Sequence, residues 1–108
     1  MQTATVLTLA ALRQHVSWCV ARAKADRDLH WDGASQYQRG VLTGGCAAYH
    51  DAQLALAARQ PHSLLTDMER SAAVAEQQST PGACWAAGCR WGRLTALQHV
   101  LAQLPLPA

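Results

Sequence analysis

A chain of 108 residues with a formal charge of +2 is expected to be one small domain, long enough to fold alone. Half of it is apolar, yet 22 residues are Ala and Phe is absent, so four Trp and two Tyr must supply the large aromatic surfaces. Charged residues make up 15%, against roughly 25% in a typical globular domain, and nine scattered Lys and Arg are not the clustered basic face of a nucleic-acid-binding domain.

No run approaches the roughly 18 apolar residues that would span a membrane. The apolar start, Thr5 to Leu12, lacks a basic leader region and runs into Arg13. It reads as a helix start rather than a signal peptide. The expected location is the cytoplasm, with four reduced cysteines.

In chain order, helix 1 is expected over about residues 3–27. Leu9, Leu12, Val16, Cys19, Val20 and Ala23 form a stripe at helical spacing, while Leu7 and Trp18 lie on the other side. Asp28 to Asp32 breaks the pattern, Asp32 serving as N-cap of the next helix. Leu29 and Trp31 are expected to fold back over the helix ends.

Helix 2 is expected over about residues 34–59. Gly40, Gly44, Ala48 and Ala52 recur every four residues, flanked by Tyr37, Val41, Tyr49 and Leu56. That step keeps the small residues on one helix face. Each interior glycine costs about 1 kcal/mol of helix propensity relative to alanine, so a closely approaching neighbour helix is the expected return. Being apolar on more than one side, helix 2 belongs in the middle of the bundle.

Pro61 should end helix 2, with Ser63 capping helix 3 (about 64–78), whose inward residues are Leu64, Leu65, Met68, Ala72 and Ala75. Thr80-Pro81 has the form of a capping hydroxyl followed by proline at the first helical position. Helix 4 is therefore expected over about 81–104, ended by Pro105, with Leu94, Leu97, Val100, Leu101 and Leu104 inward.

A 48-residue shift lays helix 2 over helix 4, pairing Tyr37 with Trp85, Gly40 with Gly88, Gly44 with Gly92 and Ala48 with Ala96. The predicted fold is an all-α four-helix bundle, organised as two pseudo-repeated hairpins.

Two spacings carry metal chemistry. His15-x-x-x-Cys19 and Cys46-x-x-x-His50 each place two ligands on one helix face, and together they would make a tetrahedral zinc set. The competing reading makes Cys19 and Cys46 core thiols, with His50 at the surface. Cys84 and Cys89 are five residues apart and diverge by about 140° on a helix. His30, His62 and His99 read as ordinary polar or capping positions. No nucleophile elbow, phosphate loop or Glu-x-x-His pair is present, so an enzyme is not expected.

The leading expectation is a small non-enzymatic protein that binds another protein or its own copy, a homodimer included, through Leu7, Trp18, Trp31, Trp85 and Trp91. One alternative is a zinc-binding bundle using His15, Cys19, Cys46 and His50. Another is weak nucleic-acid binding through Arg22, Lys24 and Arg27 with Arg90 and Arg93.

Overall fold

Four helices, α1 (Leu9–His30), α2 (Gln36–Leu56), α3 (Pro61–Gln78) and α4 (Trp85–Gln103), form the bundle. The structure is a computed structural model and describes residues 6–105. α2 and α4 make by far the most extensive contact, α1 lies on α2, and α3 lies on α4.

The central pair closes on glycine. A Cβ on Gly40 would fall on the carbonyl oxygen of Trp85 and 2.9 Å from the amide nitrogen of Cys89. One on Gly88 would fall on the carbonyl oxygen of Tyr37 and 2.9 Å from the amide nitrogen of Val41. Gly44 meets the carbonyl of Cys89 in the same way, and Gly92 meets that of Val41. The 48-residue shift converts each member of these pairs into its counterpart, so the small-residue stripe builds a pseudo-two-fold seam of backbone on backbone. Such approach permits Cα–H···O contacts, worth about 0.5–1 kcal/mol each, which help to offset the propensity lost to glycine.

The core lies on the two sides of that seam. Leu12, Leu56, Leu65, Leu97, Val16 and Val100 are its largest fully buried side chains. The inward faces of α1 and α4 follow the sequence stripe: Leu12, Val16, Cys19 and Val20 are buried in α1, as are Leu94, Leu97 and Val100 in α4. α3 departs from it, because only Leu65 and Ala72 are buried while Leu64 is exposed. Leu29 does not fold back over the helix ends either; it is 76% exposed.

Helix ends differ from expectation for identifiable reasons. α1 begins at Leu9 because the Thr8 side chain accepts from the Ala11 amide, and Thr3 to Thr5 lie outside the described residues. Ser35, rather than Asp32, caps α2: Ser35 and Gln38 exchange side-chain and backbone hydrogen bonds in a capping box. Pro61 opens α3 instead of closing α2, filling a first-turn position whose N–H needs no partner. Thr80-Pro81 starts no helix; residues 79–84 make the reversal from α3 to α4, and α4 starts after Cys84.

Candidate functional site

Two features stand out, one along α2 and α4 and the other between α1 and α4. The first is a groove. A cleft of about 680 Å³ is lined by Leu29 and His30 of α1, Tyr37, Val41 and Leu42 of α2, and Trp91 of α4, among others. A second, of about 290 Å³, adjoins it at Val41 and continues past Gly45 and Gly92 to Tyr49 and His99. Because the glycines bring the two backbones together, the floor there is peptide rather than side chain. Among the described residues no Asp, Glu, Lys or Arg lines either cleft. From Tyr37 to Tyr49 the groove follows twelve residues of α2, about 18 Å at 1.5 Å per residue.

The second feature sits at the far end of that groove. His15 Nε2 lies 3.1 Å from His99 Nε2 and 3.5 Å from Cys19 Sγ. The ligand atoms of His15, Cys19 and His99 all fall within 4.8 Å of one another. α1 positions the first two by its four-residue repeat, and α4 brings His99 across. Cys19 is buried, His15 half-buried and His99 exposed.

The surroundings orient the rings. Trp18 stacks on His15 at 6.0 Å between centroids, and Tyr49 presents its edge to His99 at 6.1 Å. The Gln103 amide group stands 3.0 Å from His99 Nε2. Burial lowers the His99 pKa, and the charge of His15 lowers it further. Burial raises the Cys19 thiol. Burial also raises the Tyr49 phenol, with a contribution from the charge of Cys19.

Of the four ligands expected from sequence, His15 and Cys19 join this cluster, while Cys46 and His50 do not. Cys46 is buried beside α1, with the Arg27 guanidinium 3.9 Å from its sulfur, and His50 is exposed. Cys84 is exposed at the start of α4, where the Ala87 amide lowers its pKa, and Cys89 is half-buried. From sequence His99 reads as an ordinary polar position, and the structure instead brings it into the cluster. Its signal would have been its place three and seven residues after Ala96 and Gly92, on the flank of the seam that turns towards α1.

Of the apolar residues expected at an interaction surface, Trp18, Trp85 and Trp91 are exposed. Leu7 instead packs against the core, and Trp31 is half-buried with the Arg39 guanidinium 5.2 Å above its ring. The basic groups are largely neutralised: Arg22 pairs with Asp26, Arg27 with Asp28, Arg90 with Glu76 and Arg93 with Asp51. Among the described residues Lys24 is the one member of these two groups without such a pair. Among the described residues no helix is long and apolar enough to cross a membrane.

Compared with protein-family models, with curated proteins and with solved structures, the chain matches none of them.

Proposed function

We propose that the protein works by docking a helical segment of another protein, or of a second copy of itself, in the α2–α4 groove, and that it catalyses no reaction. The observation that carries this reading is the groove's lining: continuous, carrying Tyr37, Tyr49 and Trp91, and among the described residues without Asp, Glu, Lys or Arg. A phosphate backbone or an acidic peptide would find no lysine or arginine there. An apolar helix face of about 12 residues matches the length of about 18 Å and would present anchors three and four residues apart. Trp91 and Leu29, 45% and 76% exposed, stand on the rim where such an anchor enters. Aromatic side chains in that position are the usual centres of interface energy.

Affinity capture from the cells that produce the protein, combined with sedimentation of the pure chain, tests the proposal. Wild-type protein should retain one partner or sediment as a dimer, and Trp91→Ala and Leu29→Asp should each abolish that association. Both residues are exposed and lie outside the buried core, so the variants should keep their helix content. Association unchanged by both substitutions, or none under any condition, would contradict the reading.

A further inference from the structure

The His15–Cys19–His99 cluster joins two helices that otherwise barely meet, since α1 rests on α2 and touches α4 only sparsely. We propose that His15 Nε2, Cys19 Sγ and His99 Nε2 form a three-ligand site for a divalent metal ion of the zinc class, with a fourth position open to solvent.

The geometry is close to what such an ion requires. With metal–nitrogen bonds of about 2.05 Å and a metal–sulfur bond of about 2.3 Å, tetrahedral angles set nitrogen–nitrogen edges of about 3.3 Å and nitrogen–sulfur edges of about 3.6 Å. The corresponding distances here are 3.1 Å between the imidazoles and 3.5 Å between His15 and Cys19. The remaining edge, from Cys19 to His99, is no longer than 4.8 Å. Bringing it to the tetrahedral value takes a shift of at most about 1.2 Å, within the reach of an exposed ring.

Proton bookkeeping on the same contacts points the same way. Each Nε2 offers one hydrogen or one lone pair. Yet His15 Nε2 is approached by both His99 Nε2 and Cys19 Sγ, and His99 Nε2 by both His15 Nε2 and the Gln103 amide. A hydrogen bond between the rings satisfies only one of these approaches and leaves the thiol without an acceptor there. A cation accepts from both nitrogens and the sulfur at once, and the Gln103 amide keeps the His99 carbonyl oxygen, 3.2 Å away, as its acceptor. Binding displaces the thiol proton of Cys19 to solvent and leaves a thiolate on the metal.

The donor set selects the class of ion. Two imidazoles with one thiolate and no carboxylate suit Zn²⁺ and its spectroscopic substitute Co²⁺, and suit Mg²⁺ or Ca²⁺ poorly. The site keeps the His15–Cys19 half of the pattern legible in sequence and replaces Cys46 and His50 with His99.

Titration of the purified, reduced protein with Co²⁺ tests the site without any partner, so its outcome is separable from that of the groove reading. Expected are one Co²⁺ per chain, the visible bands of tetrahedral cobalt, a thiolate charge-transfer band, and displacement by Zn²⁺. Cys19→Ser should remove the charge-transfer band, and His99→Ala, at an exposed position, should weaken binding at least tenfold. Cys46→Ser and His50→Ala should leave the spectrum unchanged. Absence of tetrahedral bands in the wild-type protein would overturn the proposal. So would a spectrum that survives both Cys19→Ser and His99→Ala, or one lost with Cys46→Ser or His50→Ala in a folded protein.

Discussion

The inner and outer pairs of helices obey the 48-residue repeat to different degrees. α2 and α4 follow it atom for atom at the seam, where Gly40 does to Gly88 what Gly88 does to Gly40. α1 and α3 share that register only in part: His30 and Gln78 coincide and buried Val20 meets core-packed Met68, but buried Val16 and Cys19 match exposed Leu64 and Asp67. The His/Cys cluster sits where the repeat fails, because the shift replaces His15, Cys19 and His99 by Ser63, Asp67 and Asp51. Backbone contact leaves the seam little freedom to vary. The outer helices pack through side chains and have room for chemistry.

The largest expected effects come from breaking the seam. Gly88→Ala or Gly92→Ala forces a methyl onto a carbonyl oxygen of the facing helix. Since overpacking of ordinary cores already costs about 1–3 kcal/mol, and backbone cannot step aside as a side chain can, each should lower stability by about 3 kcal/mol or more, read by chemical denaturation. Next come the flanking cores. Leu97→Ala and Leu12→Ala, both fully buried, should each cost about 2–5 kcal/mol, and similar losses would show that the two hairpins are equally consolidated despite their different outer faces.

Ser35→Ala removes the capping box from α2 and should cost about 1 kcal/mol. Thr80→Ala should be nearly neutral, because Thr80 caps nothing. A small effect is also expected of acid on the metal-free protein. His99 has its pKa lowered from 6.5 by burial and by His15, so the unfolded chain binds the proton more readily. Its contribution to stability is therefore present above pH 6.5 and is lost as pH falls through the folded value. His99→Gln should flatten that part of the pH–stability profile.

The sequence carried the fold through two local patterns. Helical stripes placed Leu12, Val16, Leu94, Leu97 and Val100 inward, and the four-residue run of small residues marked the seam. Helix ends were less legible, because a capping residue is defined by which amide it reaches. Asp32 and Thr80 have the right chemistry, but the turns that follow them direct the chain elsewhere. Of the cluster, the His15–Cys19 pair was legible because four residues along one helix is a local relation. His99 was not, because its approach to α1 depends on how far α2 and α4 sink into each other.

Gly44 and Gly45 offer the most direct test of that seam, on which the groove floor and the His99 approach both depend. They are sequence neighbours with the same helix propensity, yet a Cβ on Gly44 would strike the Cys89 carbonyl, whereas one on Gly45 meets only the Gly92 carbonyl oxygen at 3.8 Å. Denaturation of the two alanine variants side by side should show Gly44→Ala severely destabilised and Gly45→Ala equal to or more stable than wild type, by up to about 1 kcal/mol of helix propensity. Equal behaviour of the two, or a tolerated Gly44→Ala, would contradict the account.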